Sequence, residues 1–592
     1  MTKKTQLTKF LIWRYKHIST KNFIFILSVL IGLLSGVIAV TLKNITFTIQ
    51  SVLENNLHFS QNQLYFILPI IGLLLVFIIM KYILKQSVEH AIPSVLYALF
   101  KKTGIIRSNK IYIPLITAPL TVGFGGSVGL LGPAVASSSA LSSNLSKLFH
   151  MDSKTRILLI GCASAAAISS IFKSPIAAII FAVEVFSLDL TFASLIPLLM
   201  ASVSAVITSY FFLGDDVLFN FEVAEKFAVR DTLFYILLGV GTAIASIYFT
   251  KMYFAINRLF DRLKGQLQRL LIGGLTIGIM LYFIPPLYGE GFGFINSLLE
   301  GNHLSALGTT PFDSLIDNIW VVIALLVGIT VFKAVAMTAT FAAGGSGGIF
   351  IPTMVMGSAL GNVVAKIINN TGIGLNVSEA NFTLIGMAGL IAGVLHAPLT
   401  AIFLIAEITG GYELFIPLML TCTISFLIAK NAIDYNIYTR KLAESGDLIT
   451  HDKDETVLTL MKIDSVIEDD FVTVNPEMTL GEMLHQAVAK CSRNLFPVVN
   501  ENGELSGVIL LDDIRGMMFN KSLYDTTFVK DLMHAAPEYI IFEEDNMKKV
   551  MKKFQDSGAW NLPVIKKGKY AGFISKSKLL TAYRRKLINF TR

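Results

Sequence analysis

Charge is what this chain has least of. Of its 592 residues, 15% are Asp, Glu, Lys or Arg, against 53% hydrophobic, and mean hydropathy is +0.64. Those proportions exclude both an ordinary soluble globular chain and a disordered one. Cysteine is scarcer still. Cys162, Cys422 and Cys491 show neither metal-ligand spacing nor a disulfide framework, and the first two sit in apolar segments, so they read as core residues. There is no basic stripe interleaved with aromatics, so the formal net charge of +8 does not point to nucleic acid. No small-residue cleavage site follows the first apolar stretch, which argues against a removed secretory leader. Residues 1–21, MTKKTQLTKFLIWRYKHISTK, read instead as a basic amphipathic helix lying on a membrane face.

Long apolar runs fill the chain instead. Segments near 22–50, 63–84, 195–213, 232–257 and 318–340 each approach the ~20 residues that cross a bilayer. Shorter apolar pieces broken by Gly and Pro lie between them. Lys21 precedes the first run, Lys81 and Lys85 follow the second, and the intervening SVLENNLHFSQNQLY carries no Lys or Arg. Both ends of that pair are therefore expected on the cytoplasmic side. The run from 232 has the opposite sense: Asp215, Asp216, Glu222 and Glu225 precede it, and Arg258, Arg262 and Lys264 follow it.

An internal repeat matches this inversion. FKSPIAAIIFAVEV (172–185) parallels LHAPLTAIFLIAEI (395–408), with Pro175 and Pro398 each followed nine positions later by Glu184 or Glu407. GGSVGLLGPAVASSSALSSNLSKL likewise parallels GGSGGIFIPTMVMGSALGNVVAKI. Two halves of opposite topology with paired broken helices are the pattern of a transport protein whose substrate binds near the bilayer midplane.

Gly129-Leu130-Leu131-Gly132-Pro133 and Gly348-Ile349-Phe350-Ile351-Pro352 share one physical logic. Glycine lets backbone approach a ligand, and proline in the first helical turn removes a donor that has no intrahelical partner. The remaining N–H groups form the positive end of a helix dipole, and in oil something must satisfy them. A partly dehydrated anion suits them, held without a fixed cation that would bind too tightly to release. The plainer role for such glycines is close helix packing.

These residues resemble the CLC chloride channels and chloride/proton exchangers over nearly the whole chain. The family's anion-site motifs, G-S-G-I-P, G-K/R-E-G-P and G-x-F-x-P, correspond to Glu89-His90-Ala91-Ile92-Pro93 and to the two helix starts just quoted. The resemblance implies a polytopic α-helical membrane protein with an inverted-topology repeat. It also implies a homodimer in which each subunit has its own chloride path. The anion would be held by backbone N–H groups of Leu131, Gly132, Ile349 and Phe350, with the hydroxyl of Tyr438 as inner donor. Three departures bear on mechanism. The family's gating glutamate falls on Leu131, which neither competes as an anion nor titrates. The exchangers' inner proton-transfer glutamate falls on Val185, beside Glu184. The inner-site serine falls on His90, either a pore donor whose protonation makes conduction pH-dependent or a neutral helix-end histidine. The resulting expectation is a channel with little or no proton coupling. Its runner-up is an exchanger using a non-standard acid such as Glu184; intramembrane acids are candidates by default, though Glu184 and Glu407 sit near helix ends where structural pairing is the simpler role.

A rival of another class, an intramembrane serine protease, rests on Gly344-Gly345-Ser346-Gly347-Gly348, which fits G-x-S-x-G and whose first four residues fit the G-x-S-G of those proteases, with His396 as a conceivable base. Gly125-Gly126-Ser127-Val128-Gly129 fits the same pattern in the other half, so the motif reads as part of the repeat, and no enzyme activity is expected. After residue 445 charge rises and short apolar strands alternate with amphipathic helices. RNLFPVVNENGELSGVILLDDI (493–514) and WNLPVIKKGKYAGFISKSKL (560–579) resemble a pair of CBS domains, some of which bind adenine nucleotides. The family's ribose-binding pattern is incomplete in both copies, and Asp513 and Ser575 are its remnants. CBS pairs also occur on magnesium channels, but that reading needs pore carboxylates, and the helix starts carry none. The chain thus divides into the N-terminal helix (1–21), a first membrane repeat (22–214), a second inverted one (215–445) and CBS domains at 446–520 and 521–592. No cofactor is required. The expected setting is a bacterial inner membrane, with both termini and the CBS pair cytoplasmic.

Overall fold

The computed structural model describes residues 6–57, 63–86, 91–101, 103–188, 191–214, 227–307, 310–312, 315–371, 376–444, 458 and 461–591. Glu89 and His90 lie outside the described residues. The chain forms two units, Met1–Ala443 and Glu444–Arg592.

The first unit is built of helices. The N-terminal helix α1 (Gln6–His17) precedes α2 (Thr20–Leu57), α3 (Gln63–Ile78), α4 (Ala91–Lys101), α5 (Ile113–Gly123), α6 (Leu131–Leu148), α7 (Ser153–Phe172), α8 (Pro175–Phe186) and α9 (Phe192–Leu213). The second half runs through α10 (Thr232–Asp261), α11 (Gln266–Phe283), α12 (Phe292–Leu299), α13 (His303–Leu307), α14 (Ile319–Ala342) and α15 (Phe350–Asn370). It closes with α16 (Glu379–Leu395), α17 (Pro398–Ile408), α18 (Phe415–Ala432) and α19 (Arg440–Glu444).

Among the described residues, nine helices are long and apolar enough to cross a membrane. They include the five runs read from the sequence and add α7, α11, α15 and α18, whose most apolar windows reach only 1.2–1.7 in mean hydropathy, against 2.8 for α2. Two of these, α7 and α15, are mostly buried inside the protein and so need no lipid-compatible surface. They use small residues to pack closely. Ser139 of α6 and Ser164 of α7 share a hydrogen bond of 2.9 Å. Gly357 of α15 and Gly386 of α16 lie so close that a Cβ on either would meet the other's carbonyl oxygen at 2.4–2.5 Å.

The repeat is visible in backbone detail. After α5 and α14 the chain turns through Gly125 (φ +93°) and Gly344 (φ +95°). After α7 and α16 it turns through Lys173 and His396, both at φ +55°, just before the prolines that open α8 and α17. Left-handed backbone at these points ends one helix and frees the next to start in a new direction.

The second unit holds two small sheets with separate cores. Strands β1 (Leu495–Val499) and β2 (Leu505–Leu510) pair antiparallel, Leu495 opposite Leu510. β3 (Ile540–Ile541) runs parallel to β4 (Asn561–Lys566), which pairs antiparallel with β5 (Lys569–Ser575). Phe496, Val498 and Ile509 anchor one core, and Leu562, Val564 and Ile574 the other. Phe471, Leu495, Val508 and Phe573 form a further apolar cluster, and the N–H of Tyr570 donates to Gly503 across the two halves.

Candidate anion site

Two turns of identical pattern build the site. Gly126 N–H donates to the Thr121 carbonyl (2.8 Å) and Gly345 N–H to that of Thr340 (2.9 Å). The threonines then cross over: Ser127 N–H donates to Thr340 Oγ1 (3.3 Å), and Ser346 N–H to Thr121 Oγ1 (3.1 Å). Beyond the turns the segments meet antiparallel. Gly129 N–H donates to the Gly348 carbonyl at 3.0 Å, and Gly348 N–H to that of Gly129 at 2.7 Å.

Glycine is required at this junction. A Cβ on Gly348 would stand 2.8 Å from the Gly132 nitrogen, and one on Gly132 3.0 Å from the Gly348 Cα. The start of α6 at Leu131 and that of α15 at Phe350 are thereby held against each other, and neither N-cap residue, Leu130 or Ile349, caps its helix with its own side chain. Their first-turn donors are left to whatever occupies the space between them.

That space is a cavity of about 20 Å³ lined by Gly132, Gly348, Ile349, Tyr253, Phe341 and Tyr438 among others, room for one water-sized species. The Tyr438 hydroxyl is buried with no partner among the described residues. Its backbone is fixed by the Asn436 side chain, which accepts from the Tyr438 N–H (3.0 Å) and donates to the Leu395 carbonyl (2.7 Å). Leu131 and Phe350 are fully buried, and neither side chain lines this cavity. The Phe350 ring packs against Phe172 and Phe181, at centroid distances of 5.7 and 6.2 Å, and among the predicted donors it is Gly132 and Ile349 that line the cavity. Val185 is buried on α8.

The two repeat-related acids are helix caps. Glu184 of α8 accepts from the N–H groups of Leu399 (3.2 Å) and Thr400 (2.8 Å) and from the Thr400 hydroxyl (2.6 Å) at the start of α17. Glu407 of α17 accepts from Ile176 (3.0 Å) and Ala177 (2.8 Å) at the start of α8. Each helix caps the other's positive end. Ser346 and His396 repeat the positions of Ser127 and Lys173, so the hydrolase-like pattern is a feature of the two turns.

Sequence reasoning passed over Glu290 and Lys333. Glu290 Oε1 accepts the N–H of Leu130, the residue just before α6, at 2.8 Å. Lys333 lies fully buried on α14. The available signal was a lone acid between turn glycines, Tyr-Gly-Glu-Gly-Phe, and a lone lysine inside an apolar run.

In the second unit, a cavity of about 460 Å³ is lined by Glu468, Arg493, Trp560, Ser575 and Lys578 among others. Ser575 donates to Glu468, which also accepts from Arg493 at 2.8 Å. Asp513, the remnant in the first copy, is not part of this lining. Its carboxylate accepts from Leu510 N–H (3.0 Å) at the start of a short helix and approaches His534 at 3.5 Å. An acid three residues into a helix turns back to cap it.

Comparisons with known proteins agree in direction. A family model described as voltage gated chloride channel matches residues 71–430. CBS domain models match 463–520 and 529–585. A ClcB-like chloride channel protein of Ralstonia nicotianae is 27% identical over 386 residues, 64% of this chain and 86% of that protein. The voltage-gated ClC-type chloride channel ClcB of Escherichia coli is 26% identical over 330 residues, 55% of this chain and 74% of that one. Among solved structures, a slow cyanobacterial Cl−/H+ antiporter aligns with TM-score 0.61 at 21% identity, covering 71% of this chain and 97% of that one. A eukaryotic CLC transporter aligns with TM-score 0.59 at 15% identity, covering 95% and 99%. At these identities the structural likeness establishes the fold.

Proposed function

The chain belongs to the CLC family of chloride channels and transporters, and on that premise we propose that it conducts chloride passively, with little or no coupling to protons. The observation that carries this reading is the first turn of α6. There an apolar, fully buried Leu131 stands where the family resemblance expects the gating acid. Leucine holds no proton to pass and no charge to compete with an anion. Val185 extends the same deficit to the inner proton position.

The chemistry of the site favours an anion over a cation. Its polar groups are N–H donors at two helix starts and a buried hydroxyl with no partner among the described residues. Each helix start contributes roughly 0.3–1 kcal/mol to a nearby anion, up to about 2 when partly buried. Binding of that size admits an ion and lets it leave. Exchange through Glu184 is the weaker reading, because both carboxylate oxygens are already committed to α17.

In this reading two copies form a homodimer in a bacterial inner membrane, each with its own anion path, and the CBS pair is cytoplasmic. Conduction needs no cofactor. An adenine nucleotide, if bound, would act on the CBS pair at the cavity beside Ser575. The test is reconstitution of the purified full-length protein into chloride-loaded liposomes with a potassium ionophore. Chloride efflux without matching proton uptake is expected; proton uptake in fixed proportion to chloride would overturn the passive reading.

A further inference from the structure

Leu131 supplies no carboxylate, yet one reaches the start of α6 from elsewhere. Glu290 projects from the turn 288–291 between α11 and α12 to the N–H of Leu130, 2.8 Å away. The turn is braced on every side. The Tyr288 hydroxyl donates to the Gly123 carbonyl (2.5 Å), and Ser127 Oγ to that of Leu287 (2.6 Å). Lys333 Nζ donates to the carbonyls of Leu287 (3.1 Å) and Gly289 (3.0 Å). Gly289 (φ +56°) and Gly291 (φ +91°) flank the acid in left-handed backbone, and a Cβ on Gly291 would meet Val355 of α15 at 2.8 Å. The turn that carries Glu290 therefore meets the residue before α6 through the acid and packs on α15 through Gly291.

A simple cap does not account for this arrangement. One N–H is satisfied equally well by a neutral Ser or Asn, whereas a buried carboxylate needs a buried cation to offset its lost hydration. The fold provides that cation in Lys333, and Lys43 of α2 is the other positive charge acting on the acid. What a carboxylate offers and a neutral cap lacks is a negative charge that a proton removes.

We propose that Glu290 is the acid that gates this anion path: ionised, its carboxylate occupies the donor at the start of α6 in place of the anion, and protonated, it yields that donor to chloride. The inference rests on the reading of the two helix starts as the anion path. Burial raises the carboxyl from its ordinary 4.5 to about 7, against the opposing pull of the Leu130 N–H, Lys43 and Lys333. Its charge accordingly changes across the neutral range. The proton comes from solvent and returns to it, so opening costs no transported proton per chloride.

The experiment measures chloride efflux from liposomes holding the full-length protein, with equal pH on both sides. Between about pH 8 and about pH 5, wild-type flux is expected to rise roughly tenfold, the change in protonated fraction for a group titrating near 7. Glu290→Gln, close in shape but without a titrating charge, is expected to run at the acid wild-type rate at both pH values. Glu290→Asp keeps the pH dependence. Flat wild-type flux, or a pH dependence that persists in Glu290→Gln, overturns the proposal while leaving the anion path intact. If the glutamine variant fails to fold, Glu290→Ser, which still caps the Leu130 N–H without a titrating charge, takes its place, because His90 is a second titrating group and the wild-type profile alone does not separate the two. No chloride flux at either pH would overturn the anion-path reading and the proposal with it.

Discussion

At the residue scale the proposed anion path turns on Leu131 and Tyr438. Leu131 is defined by what it cannot do, and restoring an acid there tests it. Leu131→Glu is expected to cut chloride flux relative to wild type at about pH 7.5 and to recover toward it at about pH 4.5, because only the ionised carboxylate competes for the helix start. An unchanged ratio across that range would remove Leu131 from the path. Tyr438 contributes a hydroxyl with no protein partner among the described residues. Tyr438→Phe should therefore fold normally and weaken chloride binding by calorimetry, on the order of tenfold or more, the value of a hydrogen bond to a charged acceptor at about 1.5–3 kcal/mol. Unchanged affinity would show that the hydroxyl faces no anion. Both positions were legible from motif order and spacing. Glu290 was not, because a lone acid in a glycine-rich turn carries no periodicity, and its partner is 160 residues away in the chain.

At the scale of elements, the two helix pairs do different work with the same physics. The starts of α6 and α15 face each other without a cap from their own N-cap side chains, and Glu290 takes the Leu130 N–H. The starts of α8 and α17 are closed by each other's glutamate. Glu407→Ala leaves two first-turn donors without their carboxylate and should lower stability by about 1–2 kcal/mol, read as a shift in the thermal unfolding midpoint in detergent. Chloride flux per folded molecule should be unaffected; a loss of flux at full stability would assign Glu407 to the path. Gly348→Ala makes the contrasting case. Its Cβ would stand 2.8 Å from the Gly132 nitrogen, so it should reduce flux severely by prising the two starts apart. The sequence repeat identified these four helices and their prolines. It held no sign that Glu184 pairs with residues 215 and 216 positions away, because capping across a repeat depends on how the halves dock.

The whole molecule repeats the lesson at larger scale. The most apolar spans were readable by hydropathy alone, whereas α7 and α15, mostly buried within the protein, give a weaker signal of 1.7 and 1.4. A helix packed against other helices has no need to look like lipid. The CBS copies were readable as strand–turn–strand repeats, and the matched domains fall at 463–520 and 529–585. The contents of the CBS cavity were not readable, since Glu468 of the first matched domain accepts both from Arg493 and from Ser575 of the second, a meeting that strand patterning does not reveal. The central claim concerns the whole protein in a membrane: two helix starts without an intervening acid on α6 make a passive anion path. Its most direct measurement is the reversal potential of the full-length protein in a planar bilayer with equal chloride on both sides and a proton gradient across it. The account predicts reversal at zero, whatever the size of the proton gradient; a reversal potential that tracks that gradient would contradict it.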